Sequence, residues 1–426
     1  MWRERPLGNL AAINSGGTPA TDRAEFWGGD IPWVTPTDIT ACKTNYLFDT
    51  ANRITKIGLH SCSAKFLPAG SILFTSRATV GVSRIAGIPV STNQGFKSLT
   101  PLAGTDGKFL FYQVQRLRGA FERYAAGSTF PEINKKDTAR VSIPHPVDVS
   151  VQQKIATILT TIDTAIEKTE ALIEKYQQIK AGLMHDLFTR GVLPNGQLRP
   201  PREQAPELYQ KTAIGWMPKE WKWMPIGELF EIQLGKMLNQ LAKTGKSAYP
   251  YLGNRSVQWN KIQIENLERM DFSAAEREKF SLKPDDLLVC EGGDVGRTAI
   301  WEGQVENCFF QKAIHRLRSK SEAVKPRYML RYMWFAKQRG LFSEFTSQSS
   351  IAHLTQEKLA IVPIAIPTVP EQARLVSQFE RIDGLLDAES EYVQKLRTSK
   401  LGLMHDLLTG KVEVKVEQDS VEPVNA

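Results

Sequence analysis

The sequence predicts an α+β protein built as an internal repeat, with two mixed α/β domains separated by two long coiled-coil helices. Three observations carry that expectation. The segment KAGLMHDLFTRGV at Lys180 to Val192 recurs as KLGLMHDLLTGKV at Lys400 to Val412, 220 positions later. Both copies end a stretch with the same apolar period. Between the copies, short β-rich runs alternate with amphipathic helical stretches.

The repeat covers a whole helix. At the interval of 220, Gln152 matches Gln372, and Ile162 and Asp163 match Ile382 and Asp383. Further upstream, Trp2, Pro6, Gly8 and Leu10 fall opposite Trp221, Pro225, Gly227 and Leu229 at an interval of 219. Elsewhere the halves share only traces, such as LPAGSILFTSRATVG against LKPDDLLVCEGGDVG and NQGFK against FQKAIH. Each half therefore pairs a variable domain with a repeated helix.

In the first helix Ile155, Leu159, Ile162, Ile166, Thr169, Ile173, Tyr176, Lys180, Leu183 and Leu187 step alternately by four and three, the seam of a coiled coil. The second repeats it at Leu375, Phe379, Ile382, Leu386, Glu389, Val393, Leu396, Lys400, Leu403 and Leu407, with polar breaks at matching places. From Val151 to Leu187 is 37 residues, about 55 Å of helix, more than one small domain can cover. The expected partner of each helix is the other copy, which would hold the variable domains at a fixed distance. Proline-bearing segments, VSIPHPVDVS and IVPIAIPTVPEQ, mark the helix entries.

These signals divide the chain into a first variable domain at 1–150, a helix at 151–190, a proline- and glycine-rich linker at 191–213, a second variable domain at 214–370, a second helix at 371–410, and a disordered tail at 411–426. Within the domains, GSILFTSR and DDLLVCEGG read as strands. KFLFYQVQRLRGAFERYA and RYMLRYMWFAKQRGLF read as helices. The length of 426 residues is ample for two cores, and 42% hydrophobic with 23% charged residues is an ordinary globular composition.

Cys42, Cys62, Cys290 and Cys308 lie far apart without a CxxC pair, so free thiols in a reducing cytosol are expected rather than zinc or disulfides. The opening MWRERPLGNLAAINSGG has no long apolar run, and no stretch of 18 apolar residues occurs elsewhere, so neither export nor membrane spanning is expected. The net charge of +8 leans toward a polyanionic partner.

Nucleotide, nuclease and methyltransferase motifs are missing. Ahead of Lys246 and Ser247 the place a P-loop reserves for glycine holds Gln240. Pro284-Asp285 is followed by Glu291 but then by Gly292-Gly293, without the lysine of a common nuclease site. No Asn/Asp-Pro-Pro-aromatic strip occurs in either half. His185 and His405 lie near helix ends without a second ligand within a turn, and a helix cap is the expected role. No catalytic, cofactor-binding or metal-binding residue is expected.

Two different domains on two matching helices make a device for recognising two things at a set spacing, and duplex DNA fits the charge. Base readout needs Arg, Lys, Asn and Gln on loops, with basic and hydroxyl groups for phosphates. In the first half the candidates are Thr75, Ser76, Arg77, Asn93, Gln94 and Lys97, with Ser128, Thr129, Asn134, Lys135 and Lys136 of the GSTFPEINKK loop. In the second they are Asn254, Arg255, Arg297, Gln311, Lys312, Arg316, Ser349, Ser350 and His353.

Four features, IGWMPKEWKWMPIGEL at Ile214, GSTFPEINKKDTARVSIPHP, the helix-start glutamines Gln152 and Gln372 and the twice-occurring GLMHDL, resemble the specificity subunits of type I restriction-modification enzymes over nearly the whole chain. The resemblance implies two target-recognition domains related by a pseudo-twofold repeat, each reading one half of a split double-stranded DNA target, separated by two antiparallel helices. It implies a non-catalytic cytoplasmic subunit, two methylation subunits docked on the helices and two restriction subunits. The partners would use S-adenosylmethionine, ATP and Mg2+ for adenine methylation, translocation and cleavage. The chain departs from the usual pattern with Ser150-Val151 in place of Pro-Glu, and with SSIAHLTQEK where the first half has GSTFPEINKK. A sequence-indifferent coiled-coil tether and a standalone methyltransferase or nuclease are the alternatives.

If the helices act as a ruler, deleting one heptad from each will change the tolerated spacing between half-sites and leave each half-site sequence intact. Binding-site selection with the shortened chain checks this; an unchanged spacing would reject the ruler.

Overall fold

A computed structural model of the chain describes residues 1–77, 79–125, 132–239, 244–345 and 353–416. It forms two compact units that do not follow the linear division. The first unit takes Met1–Ile173 and Glu389–Ala426, and the second takes Glu174–Ala388. Each unit therefore holds one variable domain, the first part of the long helix that follows it, and the last part of the other long helix. The helices run Val149–Thr189 and Val369–Leu408, within two residues of the expected bounds.

Although their sequences have diverged, the two variable domains share one topology. In the first unit an antiparallel core orders Ala11–Ser15, Lys97–Pro101, Ile72–Phe74 and Ser83–Ala86, with Tyr46–Leu47 added in parallel. The second repeats the core as Phe230–Leu234, Ile314–Ser319, Leu287–Cys290 and Thr298–Ile300. A three-stranded sheet recurs too, as Asn52–Ile54, Trp27–Val34 and Ser91–Thr92, and as Arg269–Asp271, Ala248–Leu252 and Phe309–Phe310. In both units the strand entering the domain, Trp2–Pro6 or Lys222–Pro225, pairs antiparallel with the strand leaving it. The expected helices form as Gly107–Arg116 with Arg118–Tyr124, and as Pro326–Gln338.

Every seam position of the helices is buried or half-buried. In each unit the two helical segments run antiparallel. Asp163 meets Lys400 while Glu170, further along, meets Arg397. The helix ends are buried on a second side as well. Met184, Leu187 and Phe188 join Leu375, Val376 and Phe379 in the core of the second unit, where Phe188 lies within 5.7 Å of the rings of Tyr328, Tyr332, Phe335 and Phe379. Met404, Leu407 and Leu408 enter the core of the first unit beside Ile155, Ala156 and Leu159. The apolar residues of GLMHDL thus pack on the domain of the opposite half. His185 and His405 themselves are exposed; their carbonyls accept the hydroxyls of Thr189 and Thr409, so threonine performs the capping expected of histidine.

Each helix start is locked by its repeated glutamine. Buried Gln152 accepts from Asp106 N at 2.7 Å and donates to the carbonyls of Gly104 and Pro146. Gln372 does the same toward Lys325 N, Ala323 O and Pro367 O. One amide satisfies one donor and two acceptors of irregular backbone, a task no apolar residue can perform.

The stretch read as a linker is ordered. Arg199, 3% exposed, forms ion pairs with Glu371 and Glu220. Glu371 also accepts from Val192 N at 2.9 Å and Trp221 Nε1 at 3.1 Å. Gly191, at φ 68°, lies where a Cβ would collide with Glu371, Arg199 and Trp221. A buried guanidinium paired on both sides fixes a segment whose proline content gave no sign of it. Of the expected tail, 411–416 are described and Val414 packs against the first core; 417–426 lie outside the described residues. All four cysteines are free, and burial pushes the Cys290 thiol up to about 11. Among the described residues no helix is long and apolar enough to cross a membrane.

Replacing Gln152 by alanine leaves a buried N–H and two carbonyls without partners, so the first unit will lose about 2–3 kcal/mol in denaturant unfolding. Glutamate at the same position will cost more, because a carboxylate would face those carbonyls. A loss below about 0.5 kcal/mol for alanine would show that the lock is not needed.

Candidate nucleic-acid interface

In both domains the chain makes the same three-segment junction at one end of the antiparallel sheet. In the first, Ser76 N donates to Gly95 O at 2.7 Å, Ile133 N to Ser76 O at 3.1 Å, and Asn93 N to Val34 O at 3.0 Å. In the second, Glu291 N donates to Ala313 O at 2.9 Å, Leu354 N to Glu291 O at 2.8 Å, and Gln311 N to Leu252 O at 3.1 Å. Bridges between Arg77 and Glu132 and between Gly292 and His353 complete the match. Short helices, Lys135–Arg140 and Gln356–Ile361, then start at the side-chain caps Asn134 and Thr355. The junction therefore gathers candidates that lie up to 61 positions apart in the first half.

The first junction is held by charge. Lys97, 5% exposed, reaches Ser76 Oγ at 3.3 Å and Glu132 at 3.4 Å, and Arg77 Nε lies 2.9 Å from the same carboxylate. Burial, offset only in part by Glu132, holds the Lys97 ammonium below its ordinary pKa. Burial opposes ionisation of Glu132, yet Arg77 and Lys97 outweigh it and keep its carboxyl below the usual range. The second junction has His315 where the first has Lys97. His315 is fully buried, and its Nε2 lies 2.9 Å from Leu354 O. Burial dominates there and lowers the imidazole pKa.

The predicted residues separate by exposure. Arg77, Gln94, Asn134, Lys135 and Lys136 present side chains to solvent in the first unit, as do Arg255, Lys312 and His353 in the second. Asn93, Asn254, Arg297 and Gln311 are half-buried. Thr75, Ser76 and Lys97 are instead internal; Thr75 Oγ1 is turned toward the carbonyls of Thr79 and Val82. Arg316, 2% exposed, donates to the carbonyls of Lys279 and Ser281 and pairs with Glu231 at 2.8 Å, so its guanidinium is consumed within the fold. Ser128, Thr129, Ser349 and Ser350 lie outside the described residues.

Beside the second junction, Asn254, Arg255 and Gln311 line a cleft of about 480 Å³ together with Tyr251, Glu265 and Glu268. Asn254 Nδ2 donates to Gly292 O at 3.1 Å while its Oδ1 is buried without a protein partner, and Arg297 donates to Asn254 O at 2.7 Å. Amides, guanidinium and carboxylates at one rim are the groups that exchange hydrogen bonds with base edges. Glu132, Glu268 and His315 carry no signal of basic or amide type in the sequence, because acids repel phosphate and a lone histidine has no local pattern. The signal that could have found His315 was the weak match of NQGFK with FQKAIH.

The family described as the type I restriction modification DNA specificity domain matches residues 1–178 and 218–397. The chain belongs to this family. A relative from Methanocaldococcus jannaschii, the type I restriction enzyme MjaIX specificity subunit, is 31% identical over 236 residues, 55% of this chain and 52% of that protein. The chain thus aligns with about half the length of that relative. The MjaVIII specificity subunit of the same organism is 24% identical over 73% of this chain and 71% of its own length. Among solved structures, the type I restriction-modification S subunit from M. genitalium shares the fold at 16% identity, with a TM-score of 0.55 and 96% of each chain covered. A chain solved in work on assembly and conformational transition of the type I R-M system has a TM-score of 0.60 at 16% identity, covering 96% of this chain and 98% of its own.

The buried His315 ties stability to pH. Its folded pKa is depressed, so between its ordinary value of about 6.5 and that lower value the unfolded chain binds a proton that the folded chain refuses, and stability falls as pH falls. Unfolding free energies will drop from pH 7 toward pH 5 with a slope of up to about 1.4 kcal/mol per pH unit from this group, and His315→Gln will flatten that part of the profile. Equal slopes in the two proteins would exclude His315 as the cause.

Proposed function

We propose that the chain is the DNA sequence-specificity subunit of a type I restriction-modification complex. Each target-recognition domain reads one half of a split duplex target with the loops at its three-segment junction. The observation that carries this is the pairing of one shared scaffold with two different sets of side chains at the same place: exposed Arg77, Gln94, Asn134, Lys135 and Lys136 in one domain, and exposed Arg255, Lys312 and His353 with half-buried Asn254 and Gln311 in the other. A conserved frame with exchanged contact groups is what two unlike half-sites require. Exposed lysines and arginines hold phosphates, and amides and Arg255 address base edges.

The chain supplies address rather than chemistry, as a non-catalytic subunit without a cofactor of its own. Two methylation subunits docked on the long helices would transfer methyl from S-adenosylmethionine to adenine. Two restriction subunits would add ATP- and Mg2+-dependent translocation and cleavage. The site of action follows from the substrate: double-stranded DNA in the cytoplasm.

Methylome sequencing of cells with the gene intact and deleted tests this reading. The expected result is loss of adenine marks at one split, asymmetric motif on deletion. Asn254→Ala with Gln311→Ala will reduce occupancy about tenfold through one half-site only, at the low end of what one paired base contact discriminates. If no motif depends on the gene and purified complex binds all duplexes alike, the chain is a tether and the specificity reading falls.

A further inference from the structure

Two aspartates occupy the same place in the two units and join the same three parts. Asp163 and Asp383 stand 220 positions apart, as do Lys180 and Lys400, while Tyr112 and Arg331 stand 219 apart. In the first unit Asp163 Oδ1 lies 2.7 Å from Lys400 Nζ of the other long helix, and Oδ2 accepts from Tyr112 OH at 2.7 Å and Asn45 Nδ2 at 2.7 Å, both on the variable domain. In the second, Asp383 Oδ1 lies 2.6 Å from Lys180 Nζ, and Oδ2 takes Arg331 Nη2 of the domain at 2.7 Å. Rings cover the cations: Lys400 lies over Tyr112 at 5.6 Å and Lys180 over Trp334 at 4.3 Å.

Each carboxylate thus divides its two oxygens between the partner helix and the domain, while its backbone belongs to the helix on which it stands. The apolar contacts around it are non-directional and hold the domain close without choosing its angle. Charge-assisted hydrogen bonds are directional, and at side-chain exposures of 10% and 20% these two are little screened by water. Buried ion pairs of this kind contribute orientation more readily than net stability. The chemistry differs between the copies, with two neutral donors on Asp163 and one guanidinium on Asp383, while the connectivity is retained.

We propose that Asp163 and Asp383 are positioning residues, each fixing the orientation of its target-recognition domain on the helix pair of its unit and so the direction in which the domain's loops face DNA. The second half of this statement rests on the specificity-subunit reading; the first does not.

The test uses the full-length chain with Asn45→Ala and Tyr112→Phe combined, which removes the domain donors and leaves Asp163 paired with Lys400. Spin labels introduced at the exposed positions Lys136 and Thr161, both in the first unit, report the angle between domain and helix as a distance distribution. In the unsubstituted chain it will be narrow and in the variant shifted and broadened. In cells, adenine methylation at the wild-type motif will fall about tenfold, the equivalent of about 1.4 kcal/mol, with the half-site sequences unchanged and the tolerated spacer widened. In the second unit Arg331→Lys will preserve occupancy and spacer, and Arg331→Met will not. An unaltered distance distribution overturns the positioning role. A broadened distribution with unaltered occupancy and spacer overturns its part in recognition. If deleting the gene removes no motif, the specificity reading fails on its own, and the distances still decide whether Asp163 orients the domain.

Discussion

The apolar end of each long helix is buried in the domain encoded by the other half of the chain, and the rest of the structure depends on that burial. Met184, Leu187 and Phe188 in one core, and Met404, Leu407 and Leu408 in the other, each remove large side chains from water at about 1.5–3 kcal/mol apiece. Neither domain completes its core with its own sequence. A helix that must satisfy a seam partner along its length and a foreign core at its tip has one register available, and Gln152, Gln372 and the paired lysine–aspartate contacts reinforce that register with directional bonds.

On this frame the two domains differ where difference serves recognition and agree where the frame is held. The four antiparallel core strands and the three-stranded sheet match, and the backbone hydrogen bonds of the junction match one for one. What changes is the buried group beneath the junction. Lys97 brings a charge that must be neutralised by Glu132, which in turn engages Arg77 at the surface; His315 brings a ring that bonds the backbone at Leu354 O and, among the described residues, engages no surface charge through a side-chain hydrogen bond. The junction of the first domain is therefore electrostatically preset, and that of the second is open to half-buried amides.

The helices, their seams and the repeat were legible in the sequence because a period of 3.5 and a fixed interval survive divergence. The strands of the domains were legible only in part: ILF and LLVC fall within the runs read as strands, whereas strands of two or three residues such as Tyr46–Leu47 and Asn52–Ile54 are too short to carry a period. Among candidate side chains, residue type identified Arg255, Lys312, Lys135 and Lys136 as solvent-facing cations but misplaced Arg316, whose strand turns it inward onto Glu231. The same limit hid the Arg199–Glu371 clamp. Nothing local in a proline-rich stretch announces a partner 172 positions away.

By itself the sequence determined that the protein is a duplication with two long amphipathic helices and two divergent α+β domains, because those properties are local or periodic. Tertiary structure alone decided which domain receives which helix end, which polar residues are consumed inside, and which carboxylates join helix to domain. These depend on contacts between segments far apart in the chain, where a single turn of strand or helix exchanges a solvent-facing side chain for a buried one.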